Sequence, residues 1–271
     1  MAKTPLPWCV RPGSRVRLKD FDPADTRGLT EKEAALADLE RSRSRLAELQ
    51  ERLYAENRRA VLVVLQGMDA AGKDGTIEHV FHSVSPIGCQ VHSFTAPSDE
   101  ERDHDFLWRV AMRLPRYGNI GIFNRSHYED VVAVRVRRIA PRSVWEPRYE
   151  QINCYEKLLC SMGTRIVKFF LHIDRDEQRE RLLDRLRDPN KAWKYQPGDL
   201  DDRKLWNDYQ HAYEDVLERC STEAAPWHIV PANKKWVRNA LVAQTLIAVL
   251  EEMDPKPPKA SFDWRKIKIP K

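Results

Sequence analysis

The chain has 271 residues, enough for one large α/β domain or two small ones, and no shift in composition divides it. Its 46 Lys and Arg exceed its 41 Asp and Glu, and the net charge of +5 suits a polyanionic ligand without identifying one. The five cysteines are odd in number without a C-x-x-C pair, and no apolar run reaches the roughly 20 residues of a membrane-spanning helix, so we expect a cytoplasmic protein with reduced thiols.

The first predicted element is a long amphipathic helix. Residues 1–30 carry Pro and Arg without periodicity and are predicted to form an arm against the domain. Residues 31–57 include neither Gly nor Pro. Leu39, Leu46 and Leu53 recur at seven-residue spacing along one helical face, with Leu36 and Leu49 beside them. Such a stripe requires a partner surface, which is either the chain's own domain or a second subunit.

A phosphate-binding loop follows the first predicted strand. The apolar run Val61–Leu65 leads directly into Gly67-Met68-Asp69-Ala70-Ala71-Gly72-Lys73, which has the spacing G-x-x-x-x-G-K. The glycines let backbone N–H groups turn around phosphate oxygens, the next helix adds its positive N-terminal end, and Lys73 supplies a charge. We therefore predict that the chain binds phosphate at these positions: Gly67, Ala70, Ala71, Gly72, Asp74 and Gly75.

Two carboxylates make this loop unusual. Position 74 is Asp where the common signature has the Ser or Thr that binds magnesium, and Asp69 lies inside the loop. Acids in a phosphate cradle make chemical sense if they hold Mg²⁺, because that ion prefers hard oxygen ligands.

Four more strands are predicted, alternating with helical segments: Val91–Thr95, Ile120–Asn124, Ile166–Ile173 and His228–Val230. Continuous apolar strands that alternate with helices indicate a parallel sheet covered by helices on both faces. Ligands bind at the carboxyl ends of such strands, so we expect one crevice that includes the phosphate loop, Thr95–Pro97, Asn124–Arg125, Asp174 and Ala232–Asn233.

The third predicted strand ends in a polar cluster, where P-loop enzymes place a second magnesium-handling group, usually Asp. Here the first polar residue is Asn124, so the carboxylate comes from Glu129, from Asp130 or from the loop acids. Arg125 is expected to face the phosphates from the side opposite Lys73. The alternative is that these residues form an ordinary solvated helix start.

Basic residues after the fourth strand suit a lid over residues 175–204. Arg181 and Arg185 are spaced i, i+4 on one predicted helix face, and Lys194 follows a break at Asp188-Pro189. Acids are equally numerous in this segment, so an ion-paired surface helix is the alternative. A second basic cluster either extends the phosphate-binding surface or consists of scattered solvated side chains. Its members are Arg135, Arg137, Arg138 and Arg142.

Taken together, these segments resemble the polyphosphate kinase 2 family over roughly residues 21–253. The resemblance rests on the loop from Gly67 to Thr76, on the stretch from Phe123 to Val131, and on the lid residues Asp176-Glu177-Gln178, Arg181, Arg185, Asp188-Pro189, Trp193-Lys194 and Asp199. It implies a thymidylate-kinase-like P-loop fold with a helical lid, transfer of phosphate between inorganic polyphosphate and AMP, ADP or ATP, Mg²⁺ as cofactor with Mn²⁺ as an alternative, and a homodimer or homotetramer.

The resemblance also implies roles for individual residues. Asp69 corresponds to the magnesium-binding acid, Lys73 and Arg125 to ligands of polyphosphate or of the transferred phosphate, and Arg181, Arg185 and Lys194 to lid contacts. Many relatives have Asp at position 124 and Asn at position 129, whereas this chain has Asn124 and Glu129. These two differences resemble the subgroup that uses both AMP and ADP, and we take Asp69, Lys73, Arg125 and Glu129 as the catalytic set.

Two other functions remain open on the sequence. An ATP-dependent nucleoside monophosphate kinase has the same fold, but Asp74 replaces the residue that would bind MgATP. A non-enzymatic P-loop module that binds nucleotides or nucleic acid is the second, although no basic motif interleaved with aromatic residues favours nucleic acid. In every case we expect a single kinase domain over residues 31–254, followed by a basic tail over residues 255–271.

Overall fold

The computed structural model describes residues 8–195 and 198–270. The first seven residues of the predicted arm, residues 196–197 of the predicted lid and Lys271 of the predicted tail lie outside the described residues. No helix in the described part of the chain is both long and apolar enough to cross a membrane.

The core is a five-stranded parallel sheet with the strand order β2-β3-β1-β4-β5. The strands are β1 (Ala60–Gln66), β2 (Cys89–Ser93), β3 (Ile120–Asn124), β4 (Thr164–His172) and β5 (Trp227–Pro231). Every residue of β1 and β5 is buried, so side chains on both faces of the sheet are covered. The predicted α/β class with a parallel sheet is therefore confirmed, and the fold is that of a P-loop kinase.

Helices connect the strands. They are α1 (Lys32–Glu56), α2 (Lys73–Val80), α3 (Asp99–Arg102), α4 (Trp108–Ala111), α5 (Ala133–Val136), α6 (Arg142–Trp145), α7 (Arg148–Ser161), α8 (Arg175–Arg187), α9 (Gly198–Lys204), α10 (Trp206–Arg219) and α11 (Lys235–Met253). Short 3₁₀ turns lie at His127–Asp130 and Ala192–Lys194. The first of these turns begins three residues after the end of β3 and so lies at the carboxyl edge of the sheet.

The predicted position of the second strand was wrong by two residues at each end. The strand runs over Cys89–Ser93 because Ser93 pairs with Asn124, the last residue of β3. Beyond that pair only the amide of Phe94 still bonds to the carbonyl of Asn124, at 3.0 Å. The chain then leaves the sheet, so Thr95–Pro97 forms a loop rather than a strand end.

The leucine stripe of α1 packs inside the domain, against α11. Leu39, Leu46, Leu49 and Leu53 are buried, whereas Leu36 is 46% exposed. Leu36 lies at the flank of the stripe, about 80° around the helix from Leu46, and is therefore exposed. Of the two partner surfaces expected for the stripe, the structure favours the chain's own domain.

Part of the predicted arm covers the outer edge of the sheet. Cys9 forms an antiparallel bridge with His228 of β5. The amide of Val10 donates to the carbonyl of Trp227 at 2.8 Å, and the amide of Ile229 donates to the carbonyl of Trp8 at 2.9 Å. These bonds satisfy backbone groups that an edge strand would otherwise leave unpaired.

Candidate active site

The phosphate loop is tightly folded between β1 and α2. Gly67 and Gly72 have φ angles of +148° and +102°, which favour glycine. A Cβ atom on Gly72 would lie 1.9 Å from Nη1 of Arg238, so a larger residue does not fit there. The loop backbone therefore keeps the close, inward-turned course that phosphate binding requires.

Lys73 lies buried at the centre of this loop. Its Nζ donates to the carbonyls of Gly67 at 2.8 Å and Met68 at 3.2 Å. Burial, followed by the nearby charge of Arg125, lowers the pKa of Lys73 to about 8. The ammonium is thus mostly protonated at neutral pH in a poorly hydrated place, where a phosphate oxygen would be a strong partner.

Arg181, which was predicted as a lid contact, supports the phosphate loop from behind in this structure. All five N–H groups of the guanidinium are used. They donate to the carboxylate of Glu177 and to four backbone carbonyls, those of Ala70, Ala71, Ala232 and Asn233. The side chain is buried and has no free donor for a phosphate.

Polar residues after β3 meet the acids of the loop because β1 and β3 are neighbours. Arg125 Nη2 donates to Asp69 Oδ1 at 2.5 Å, and Asn124 Nδ2 donates to Asp74 Oδ1 at 2.6 Å. Burial acts to raise the pKa of Asp69, but Lys73 and Arg125 outweigh it and the pKa is lowered. Asp69 is therefore an ionised carboxylate between two cations.

A cleft of about 330 Å³ opens beside the loop. Four of the residues expected at the site line it: Gly67, Asp69, Arg125 and Glu129. The predicted loop Thr95–Pro97 forms part of its wall. The volume lies within the range of small-molecule sites, and acids, arginines and aromatic rings share the surface.

The cleft contains residues that the sequence reasoning missed. Phe94, Phe106, Arg109, Tyr209 and Tyr213 line it. Phe94 follows β2 directly, so the strand-end argument could have found it. Arg109 lies on the four-residue helix α4, and no motif or periodicity marks such a position.

Asp130 lines the same cleft next to Glu129. Burial raises the pKa of Asp130 to about 6, although Arg148 acts against this shift. Arg148 Nη1 donates to Asp130 Oδ1 at 3.0 Å. A carboxyl group with such a pKa changes its charge near neutral pH, which is common at functional sites.

The expected crevice does not extend to the ends of β4 and β5. Asp174 instead caps α8, where its Oδ1 accepts from the amide of Glu177 at 2.7 Å. Asn233 Nδ2 donates to Asp174 Oδ2 at 2.6 Å, and neither residue lines the cleft. These positions were wrong because α8 and Arg181 cover this edge of the sheet.

The second basic cluster is not a continuous track. Only Arg137 lines the cleft, where it pairs with both carboxylate oxygens of Asp202. Arg135 pairs with Asp215, and Arg142 with Glu146.

The lid residues remain outside the cleft. Arg185 Nη1 lies 3.5 Å from Asp199 Oδ2, and its charge also lowers the pKa of Asp69. Lys194 is exposed, with its Nζ 5.3 Å from the ring centroid of Trp193. Arg185 thus influences the site through the electrostatic effect of its charge on Asp69, whereas Lys194 faces solvent.

The donor set suits Mg²⁺ bound together with phosphates. In the described part of the chain, no group of three or more His, Cys, Asp or Glu forms a ready metal cage. Mg²⁺ does not require such a cage, because one or two carboxylates with substrate phosphates and water complete its shell. Asp69 is an ionised carboxylate in the phosphate loop, so the residues fit that mode of binding.

Comparison with known proteins agrees with this geometry. Residues 29–258 match the polyphosphate kinase 2 family. The chain is 52% identical to the AMP/ADP-polyphosphate phosphotransferase of Meiothermus ruber, over 96% of this chain and 98% of that protein. It is 46% identical to the ADP-polyphosphate phosphotransferase of Rhodopseudomonas palustris, over 82% and 81% of the two chains.

Solved structures give the same result. The crystal structure of polyphosphate kinase 2 from Arthrobacter aurescens superposes with a TM-score of 0.91 and 46% identity, covering 94% of this chain and 92% of that one. The resemblance noted in the sequence is therefore confirmed. The chain is a phosphotransferase that belongs to the polyphosphate kinase 2 family.

Proposed function

We propose that this phosphotransferase moves phosphate from inorganic polyphosphate to both AMP and ADP, in a Mg²⁺-dependent reaction that can run in reverse. The proposal is carried by one arrangement. Asp69, Arg125 and Glu129 line the same cleft, and the buried Lys73 lies in the adjoining phosphate loop, where its charge interacts with all three. The use of both acceptors is supported by the relative from Meiothermus ruber, which is named for both nucleotides.

In this mechanism the chain positions two anions and neutralises their charge. Backbone N–H groups of residues 67–75 and the ammonium of Lys73 hold the phosphate donor. Arg125 leaves its ion pair with Asp69 to contact the transferred group, and Glu129 orients the acceptor oxygen. No strong base is needed, because a nucleotide phosphate is already ionised at neutral pH.

Asp69 would hold Mg²⁺, which would supply charge neutralisation between the donor and acceptor phosphates. Arg185 lies near enough to lower the pKa of Asp69. A closing movement of residues 175–204 would bring Arg185 and Lys194 onto the polyphosphate and exclude water. We propose that this segment acts as the lid.

The proposed enzyme has a single kinase domain over residues 31–254, with an arm before it and a basic tail after it. It works in the cytoplasm, where its five cysteines, all free in the structure, would stay reduced. We propose a homodimer or homotetramer as the active form.

The test is nucleotide chromatography after incubation with Mg²⁺, long-chain polyphosphate and either AMP or ADP. Products from both acceptors would support the proposal, and chelation of Mg²⁺ should abolish them. Lys73→Ala should lower turnover about 10²- to 10³-fold, because a buried electrostatic stabiliser is lost. Lys157→Ala, an exposed lysine on α7, is the matched control and should leave turnover unchanged.

Other outcomes are informative. Product from ADP alone would show that Asn124 and Glu129 do not mark a dual acceptor. Transfer from ATP to AMP without any from polyphosphate would assign an ordinary nucleotide kinase.

A further inference from the structure

A buried ion pair lies under the turn that follows β3. Lys168 in the middle of β4 and Glu156 on α7 are both fully buried. Lys168 Nζ donates to Glu156 Oε2 at 2.5 Å, to the Tyr128 hydroxyl at 2.8 Å and to the carbonyl of Cys220 at 2.7 Å. All three protons of the ammonium are thus used.

The pair is attached to the turn through two side chains. The Tyr128 hydroxyl donates to Glu156 Oε1 at 2.8 Å, and His127 Nε2 lies 3.3 Å from the same oxygen. His127 and Tyr128 are the first residues of the 3₁₀ turn His127–Asp130. Their side chains anchor one side of the turn in the core, while Glu129 on the same turn lines the cleft.

The start of the turn is held as well. Ser126 Oγ accepts from Gln66 Nε2 at 3.2 Å and from the amide of Tyr128 at 3.2 Å. Arg125 has a left-handed backbone with φ +61°, an uncommon conformation for a residue with a side chain. Such a conformation persists only where its surroundings hold it in place.

Stability alone does not account for the buried charges. Removing two ions from water costs several kcal/mol per ion, and an apolar pair of similar volume is often equally stable or more stable. An apolar pair forms no directional hydrogen bonds, so it cannot hold a hydroxyl group and an imidazole ring in fixed positions. Directed hydrogen bonds of this kind are suited to holding the turn in one geometry.

We propose that Lys168, Glu156 and Tyr128 are positioning residues that fix the turn after β3, and thereby the places of Arg125 and Glu129 in the cleft. None of the three donates a group to the reactants. The inference rests on the proposed function for its kinetic consequence. Its structural part, the order of residues 125–130, can be measured independently.

The test compares two variants with wild type. Tyr128→Phe deletes only the hydroxyl that joins the turn to the pair, and Lys168→Met/Glu156→Gln removes both charges. We expect kcat to fall about ten- to a hundredfold, since small misplacements of reacting groups have effects of this size. The KM for the nucleotide should change less than twofold, and amide hydrogen exchange at residues 126–130 should accelerate.

Tyr149→Phe is the matched control, because Tyr149 is equally buried and its hydroxyl accepts from Arg135 at 3.3 Å, outside the cleft. It should leave kcat and the exchange of the turn unchanged. If either test variant folds and keeps both kcat within twofold and wild-type exchange, the proposal is overturned. If Tyr128→Phe does not fold, the double variant decides by the same criterion.

The two proposals fail in different ways. Wild-type protein without polyphosphate-dependent product would contradict the proposed function, and the exchange measurement would still test the positioning role. Active wild type with fully active variants would contradict the positioning role alone.

Discussion

Single residues in the cleft and in the phosphate loop beside it carry charges that burial disfavours. Burial raises the pKa of Asp130 to about 6 and is the main cause that lowers the pKa of Lys73 to about 8. At pH 7 both groups are nevertheless mostly charged, so the folded chain holds two charges at a cost in stability. Such a cost is typical of sites selected for chemistry rather than for stability.

Asp130→Asn should therefore raise the free energy of unfolding at pH 7, by on the order of 2 kcal/mol. The folded pKa of about 6 lies above the ordinary value of 3.8, so wild type gains stability as the pH falls through 6 towards 4. The variant lacks this gain, and its advantage should shrink over the same range. Urea unfolding between pH 4.5 and 7.5 measures the difference.

Asp103→Asn, at an exposed position, is the control and should change the free energy of unfolding at pH 7 by less than about 0.5 kcal/mol. An Asp130→Asn variant that is less stable than wild type at pH 7 would contradict the prediction. So would an advantage that stays constant across the pH range.

Residue types and spacing predicted that Asp69, Lys73 and Arg125 lie close together, as they do in the structure, since a loop motif and a strand end have fixed positions relative to the sheet. Residue types and spacing did not predict the contacts of Arg181. Its spacing from Arg185 predicts a shared helix face, but its partners are backbone carbonyls of Ala70, Ala71, Ala232 and Asn233. Such long-range acceptors have no local signal in a sequence.

At the scale of elements, the phosphate loop depends on the helices behind it. Gly72 lies against the guanidinium of Arg238 from α11, which is itself held by Asn239 at 2.9 and 3.0 Å. Gln178 of α8 donates to the carbonyl of Asp69 at 3.0 Å. The course of the loop is thus set by packing as well as by its own glycines.

Two glycine substitutions in the loop and α2 should have opposite effects. Gly72→Ala adds a Cβ 1.9 Å from Arg238 Nη1 at a φ of +102°, and should destabilise the fold by roughly 2–4 kcal/mol. Gly75→Ala, inside α2, meets only Arg238 Nη2 at 3.4 Å and should stabilise by about 0.5–1 kcal/mol. Urea unfolding of both variants is the measurement.

Equal stability of the two alanine variants would show that Arg238 moves aside and that the loop is not shaped by packing.

The error in the predicted bounds of β2 also reflects packing that a local sequence pattern does not show. Apolar pattern located the strand, but its ends depend on where β3 ends, because Ser93 pairs with Asn124.

At the scale of the whole molecule, α1 and α11 close one side of the domain. The seven-residue spacing of Leu39, Leu46 and Leu53 predicted a packed face but could not tell an internal partner from a second subunit. Both partners would bury the same stripe, and only the three-dimensional course of α11, nearly 200 residues later in the chain, distinguishes them.

Leu46→Ala should therefore lower the free energy of unfolding by about 2–5 kcal/mol, because it leaves a cavity in the buried contact between α1 and α11. Leu36→Ala changes the same residue type on the same helix at a 46% exposed position, and should cost less than about 0.5 kcal/mol. Urea unfolding over a range of protein concentrations, with sedimentation velocity on the same samples, measures both effects. If α1 packs within its own domain, the loss of unfolding free energy in Leu46→Ala is independent of protein concentration and the oligomer is unchanged. If α1 instead packs against a second subunit, the loss of unfolding free energy vanishes on dilution and the oligomer of the Leu46→Ala variant dissociates.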